Sequence, residues 1–351
     1  MKILSKAQHA APVAILSYCG ASILMTVTNK LVLSSYDFKL NFLLLTIQSV
    51  VTILLLEICA GFGLLKHRPF RISEAKNWFA VSLSLVLMIY TGSKALQFLS
   101  IPVFTIFKNL TIILTAYAER FILKGAAVTH LMLVSFALIV LSSIVAGWAD
   151  ISAGAALKDN QVSATVAYGW MAMNCLTTSA FTLLMKGKLK ASGFKDFDTV
   201  FYNNLLSIPT LVLFSLINEL PEATRLYERY YGAESDQYAS EFYGLSAGIL
   251  VSSVAAFAIS YSTSWCVRVT SSTTYSMAGA LNKLPIAISG MIFFDAVVNV
   301  FSILGVFLAF AGGIVYSISK TQQAASLLDT SDSEVSLPLH KDIDTQDDSE
   351  K

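Results

Sequence analysis

Two lysines of the chain stand where the sequence offers them nothing to pair with. Lys108 lies in the run Ile101-Pro102-Val103-Phe104-Thr105-Ile106-Phe107-Lys108-Asn109-Leu110, and Lys283 in Gly279-Ala280-Leu281-Asn282-Lys283-Leu284-Pro285. An ammonium at the centre of a bilayer helix costs at least about 2.5–3.5 kcal/mol, so such residues turn to a watery cavity and meet a counter-charge there. No carboxylate in the middle of either run supplies one. The missing partner to which the pattern points is an anionic ligand.

Other polar side chains in apolar runs extend the idea. On a helix, Tyr275, Gly279 and Lys283 are four residues apart and share a face about 12 Å long. Gly279 admits either a ligand or a neighbouring helix. Asn203 and Asn204 set two carboxamides side by side; each amide offers donors and acceptors suited to a nucleobase edge, or serves as interhelical glue. Tyr18, beside Ser17 and Gly20, suits a sugar hydroxyl or simple packing. Lys30 and Lys94 lie near span ends and can snorkel. Glu57 and Glu119, toward the opposite ends of their spans, read as surface or gate salt bridges, Glu119 beside Arg120.

The elements that must position these residues follow from composition. The 351 residues are 55% hydrophobic and 13% charged, with a net charge of +1 and a mean hydropathy of +0.65. An ordinary soluble domain is about 25% charged. The fold class expected is therefore an all-α integral membrane protein. Apolar stretches near the roughly 20 residues a span requires occur at 13–33, 41–65, 77–99, 101–122, 129–148, 166–186, 199–218, 242–267, 270–293 and 297–319. Ten transmembrane helices put both termini on one side.

Lys2, Lys6, Lys66, Arg68, Arg71, Lys76, Arg120, Lys124, Lys186, Lys188, Lys190, Lys195, Arg268 and Lys320 fall at one face, against Lys39, Lys158, Arg225 and Arg229 at the other. The first is the cytosolic face by the positive-inside rule. The acidic stretch holding Glu219, Glu222, Glu228, Glu234, Asp236 and Glu241 reads as a solvated lumenal loop. Five spans per half require an inverted repeat, and Lys108 and Lys283 occupy the fourth span of each half. The expected organisation is a short cytosolic N-terminus over 1–12, a first five-helix repeat over 13–148, a lumenal loop over 149–165, a second repeat over 166–319 and a disordered cytosolic tail over 320–351.

Cys19, Cys59, Cys175 and Cys266 lie in apolar runs without metal or disulfide spacing and read as packing residues. His9, His67, His130 and His340 fall in loops, tails or span ends, and no carboxylates pair in mid-membrane, so catalytic machinery, metal and cofactor are not expected. Two intramembrane cations suit a ligand with about two negative charges, such as a sugar nucleotide diphosphate. A nucleoside monophosphate carries a similar charge, its second phosphate pKa lying near 6, so exchange of one for the other is nearly electroneutral.

Phe201-Tyr202-Asn203-Asn204 together with Gly279-Ala280-Leu281-Asn282-Lys283 resembles the two signature motifs of the fungal-type Golgi GDP-mannose transporters. The likeness runs from about Ile15 to Lys320 and includes Phe107-Lys108-Asn109-Leu110-Thr111 and Phe194-Lys195-Asp196-Phe197-Asp198. It implies a nucleotide-sugar carrier of the drug/metabolite transporter superfamily that brings GDP-mannose into the Golgi lumen against GMP by alternating access. It further implies that Asn203 and Asn204 meet guanine, with Ser260 in the same pocket. Tyr18, Tyr275, Gly279 and Asn282 would face mannose, Lys283 the diphosphate, and Lys108 the cavity. Thr263, where the family often has serine, keeps a hydroxyl; Phe104, where tyrosine occurs, loses one.

Within the same fold the rivals are carriers of GDP-fucose or a UDP-sugar; outside it, a membrane-embedded glycosyltransferase would require a carboxylate base or metal ligand. Expected partners are GDP-mannose, GMP, membrane lipids and a second copy in a homodimer, with no nucleic acid. The expected location is the Golgi membrane.

Overall fold

A computed structural model describes residues 2–35, 38–148, 164–231, 239–282 and 300–335. Among them the chain forms helices α1 (Lys2–Ser35), α2 (Asn41–Gly61), α3 (Ile72–Phe98), α4 (Ile101–Ile122), α5 (His130–Ala146), α6 (Ala164–Ser192), α7 (Asp196–Asn218), α8 (Leu220–Tyr231), α9 (Ala239–Val269), α10 (Ser272–Leu281) and α11 (Val300–Val335). Segments of α1, α2, α3, α7, α9 and α11 are long and apolar enough to cross a bilayer.

These helices turn apolar stripes outward and bury polar residues among the apolar ones inside. In α2 the outward stripe is Val50, Leu54 and Ile58, one turn apart, while Gln48, Ser49 and Thr52 are buried. That polarity suits a hydrocarbon surrounding, where the apolar stripe loses nothing and polar groups must find partners inside. Hydroxyls find them on the turn below: Thr46 Oγ1 donates to the Phe42 carbonyl at 2.8 Å, Thr115 Oγ1 to the Thr111 carbonyl at 2.9 Å, and Ser253 Oγ to the Ile249 carbonyl at 2.7 Å. Each such bond satisfies a hydroxyl within its own helix, whereas the buried Thr52 Oγ1 has no hydrogen-bond partner among the described residues.

The early and late helices interleave. α5 packs on α11, α1 on α9, α3 on α6 and α7, α2 on α7 and α9, and α10 on α4. The α5–α11 seam is close because Gly305 is bare: a Cβ there would stand 2.7 Å from Ala146 Cβ and 2.8 Å from the Ser142 carbonyl oxygen. Backbone approach of this kind is how membrane helices gain dispersion contact in lipid.

Two stretches depart from the sequence expectation. The acidic segment read as a solvated loop contains α8, whose Ala223, Leu226 and Tyr230 pack against Val32, Phe38 and Leu40. Its Glu219 is buried, accepting from the amides of Phe42 at 2.7 Å and Leu43 at 3.0 Å and so capping α2. Arg229 meets Glu241 through two hydrogen bonds of 2.9 and 2.8 Å. The helix at the end of the chain continues to Val335, where Gln323 Nε2 donates to the Ala127 carbonyl at 2.6 Å. Of the loop expected over 149–165, residues 149–163 lie outside the described residues, and the last two begin α6; the tail beyond 335 also lies outside them.

Candidate functional site

A cavity of about 490 Å³ opens among α1, α3, α4, α6 and α10. Tyr18 comes from α1, Met88 and Leu96 from α3, Phe104 and Lys108 from α4, Thr178 and Phe181 from α6, and Tyr275 and Gly279 from α10. Its walls are mostly apolar with a few polar groups, the usual make-up of a small-molecule site.

Lys108 is the charged group of that wall. Its Nζ donates to Thr178 Oγ1 at 2.7 Å and stands 5.9 Å from the centre of the Phe104 ring. Phe104 thus brings no hydroxyl, but its π face lies within cation–π reach. Among the described residues no carboxylate lies within ion-pair distance of Lys108, and an ammonium carries three donors. Asn109 also borders the cavity but donates to Ser143 Oγ at 2.5 Å, tying α4 to α5.

Tyr18 and Tyr275 meet across the cavity with ring centres 5.0 Å apart. A Cβ at Gly279 would lie 3.2 Å from the Tyr18 hydroxyl oxygen, so the missing side chain makes room for this tyrosine. Asn282 is buried at the end of the described part of α10, and its Oδ1 has no hydrogen-bond partner among the described residues. Lys283 lies outside the described residues.

The asparagines stand elsewhere. Asn203 Oδ1 accepts from Ser82 Oγ of α3 at 3.3 Å, and Asn204 Nδ2 donates to the Val200 carbonyl of its own helix at 2.8 Å. Neither lines the cavity, and nor does half-buried Ser260. Phe181 and Tyr275, which do, also pack into the apolar cluster of Phe201 and Tyr202. The cavity wall and the Asn203 helix thus contribute to one apolar cluster.

Phe201 and Tyr202 serve the fold. His67 stacks on Phe201 with centroids 4.8 Å apart. The fully buried Tyr202 hydroxyl lies 3.0 Å from the Pro69 carbonyl and 2.9 Å from Glu74 Oε2, and accepts from the Arg71 amide at 2.9 Å. It pins the segment between α2 and α3 to α7. Glu57 Oε1 lies 3.3 Å from His67 Nε2.

Read from the sequence as a surface or gate salt bridge, Glu119 is instead buried at the end of α4 and accepts from the Ser272 amide at 2.9 Å, the Thr273 amide at 2.8 Å and Thr273 Oγ1 at 2.6 Å. The reason is the break at Thr270-Ser271: a new helix starts there with unpaired N–H groups and a partial positive charge. Lys186 of α6 serves the other side of the break, its Nζ donating to the carbonyls of Val267 at 2.7 Å, Arg268 at 3.1 Å and Thr270. Arg268 grips Asp196 through two bonds of 2.7 Å. Thr178 carries no signal in the sequence, and Lys186 counts there only among the charges of one face; the one signal for Glu119 is a carboxylate inside an apolar span.

The four cysteines are free, Cys266 buried and the others half-buried. Among the described residues no group of His, Cys, Asp or Glu side chains could hold a metal ion.

No family model matches the chain. It is 50% identical over 327 residues to GDP-mannose transporter 1 of Emericella nidulans, covering 92% of this chain and 83% of that protein. It is 52% identical to the GDP-mannose transporter of Aspergillus oryzae over 89% of this chain and 81% of that one. With the GDP-mannose transporter of Komagataella pastoris it shares 48% identity over 95% of this chain and 96% of the relative. A solved crystal structure matches 91% of this chain and 98% of its own with a TM-score of 0.60 at 12% identity, a likeness of fold alone. With about half of its residues shared with these relatives over 81% to 96% of their length, the chain belongs to the GDP-mannose transporter family.

Proposed function

We propose that the protein carries GDP-mannose into the Golgi lumen in exchange for GMP, by alternating access about the cavity that holds Lys108. The observation that carries this is the Lys108 ammonium itself: it faces a cavity lined by two tyrosines and a glycine gap, and its polar partner among the described residues is one hydroxyl. A phosphate-bearing guest supplies the counter-charge. Relatives named for GDP-mannose transport select the guest, and, being transporters, they speak for carriage without chemistry.

The architecture of the proposal is ten spans in two inverted five-helix repeats, with α8 a short extra helix at the lumenal face and both termini cytosolic. The packing supports it. If α1 to α5 match α6, α7, α9, α10 and α11 in order, then α1 on α9 corresponds to α6 on α3, and α2 on α9 to α7 on α3, both of which occur. The pairs α2–α7, α4–α10 and α5–α11 map onto themselves.

In this scheme Tyr18, Tyr275, Gly279 and Asn282 take the sugar, Lys108 and Lys283 the phosphates, and Asn203, Asn204 and Ser260 the base. The base must then reach beyond the cavity wall, which the asparagines do not line. An empty carrier reorients poorly because closing it would dehydrate uncompensated ammonium groups, which makes exchange obligatory.

The test is purified protein in liposomes preloaded with GMP and offered GDP-mannose, GDP-fucose and UDP-sugars. GDP-mannose uptake that depends on internal GMP is expected. Uptake of UDP-sugars alone overturns the substrate assignment, and equal uptake into GMP-free liposomes overturns exchange.

A further inference from the structure

We propose that Glu119 and Lys186 are positioning residues for transport: they clamp the α9–α10 joint, and through it set where Tyr275 and Gly279 stand against Tyr18 and Lys108. The proposal rests on the cavity being the transport site.

The joint is the pair Thr270-Ser271, with Ser271 extended, between two helix ends of opposite polarity. On the α10 side, Glu119 takes the amides of Ser272 and Thr273, and Ser271 Oγ takes that of Thr274 at 3.1 Å. The Tyr275 amide then makes the first bond of the new helix, to the Ser271 carbonyl at 2.9 Å. On the α9 side, Lys186 takes three of the last carbonyls. A carboxylate thus sits on the positive helix end and an ammonium on the negative one, each where the backbone field favours it. The two side chains come from α4 and α6, the helices that also carry Lys108 and Thr178.

Tyr275 follows Thr273 by two residues, about 3 Å along the axis, and Gly279 by six, about 9 Å. A turn of helix cannot slide at its start without moving these side chains. The clearance at Gly279 is 3.2 Å from a hypothetical Cβ to the Tyr18 hydroxyl, so a small shift of α10 changes which atoms face the ligand.

The molecule contains its own control. Glu219 makes the same two-amide cap on α2, to Phe42 and Leu43, and α2 contributes nothing to the cavity wall. Loss of Glu219 costs stability; loss of Glu119 costs stability and site geometry.

The experiment uses the full chain in GMP-loaded liposomes. Glu119→Gln is expected to raise the KM for GDP-mannose about tenfold, equivalent to about 1.4 kcal/mol, with Glu119→Asp recovering most of it and Glu219→Gln keeping the parental KM. A parental KM in folded Glu119→Gln, or an equal rise in Glu219→Gln, overturns the proposal. Lys186→Met carries the same comparison should Glu119→Gln fail to fold.

A measurement on the unaltered joint requires neither. Cys266 is wholly buried one turn before the break, so with Cys19, Cys59 and Cys175 replaced by serine its alkylation reports joint opening. Site and clamp are coupled in the proposal, hence GMP must slow that alkylation by linkage; no effect of saturating GMP overturns it. Tyr275→Ala separates the two ideas. If its KM stays parental the site reading falls, whereas if it alone raises KM only the clamp falls.

Discussion

Lys108 and Lys186 are both lysines sunk among helices, and their surroundings differ in the one respect that matters. Lys186 places its ammonium on three backbone carbonyls at a helix end. Lys108 has one threonine hydroxyl, a ring face and a cavity. The first cation is spent on the fold, since every donor is matched by an acceptor that would otherwise be orphaned. The second keeps bonding capacity that the described residues around it do not absorb. A charge in a membrane helix marks a ligand site only when the helices around it leave its donors over.

Replacing each lysine should therefore fail in a different assay. Lys108→Ala removes one side of a buried charge contact, a loss of about 2–5 kcal/mol, so GDP-mannose exchange should fall by roughly 30-fold or more, with the thermal midpoint of the empty protein not lowered. A lower midpoint with intact GMP binding would place Lys108 with Lys186. Lys186→Met leaves three carbonyls unpaired, and at about 1–3 kcal/mol of lost stability its thermal unfolding in detergent should begin several degrees earlier. An unchanged melting curve would end the contrast from that side.

Smaller effects sharpen it. Gly279→Ala crowds the Tyr18 hydroxyl, an overpacking worth about 1–3 kcal/mol, and uptake kinetics should show a raised KM that Tyr18→Phe relieves in the double variant. No relief would mean that the clash is not with that hydroxyl. Thr178→Val deprives Lys108 of its acceptor, for about 0.5–1.5 kcal/mol. GMP affinity by calorimetry should weaken about two- to tenfold, and Thr178→Ser should match the parent.

The legible parts of the molecule were those that depend on neighbours in the chain. Within the described residues each apolar run lies wholly or largely on a helix, because hydropathy over about 20 residues is a local sum. Lys108 stood out for the same reason: its cost follows from its own span. The stretch after Asn218 was misjudged because its charges resemble a solvated loop, whereas Glu219 is buried on the first turn of α2, a contact spanning 177 positions. Glu119 was misjudged likewise, its acceptor role depending on amides 153 and 154 positions away. The motif Phe201-Tyr202-Asn203-Asn204 was visible as a unit, but that Tyr202 holds the Pro69–Glu74 segment while Asn203 faces Ser82 was not.

By itself the chain's order of residues determined that it lives in a bilayer, where its apolar helices lie, and that a cation is stranded in one of them, since each of these is set by transfer free energy along a single segment. Only the packed structure decided which polar groups are satisfied. That depends on which helix ends and hydroxyls are brought within about 3 Å, a distance at which a hydrogen bond forms or does not, and no segment carries that information alone.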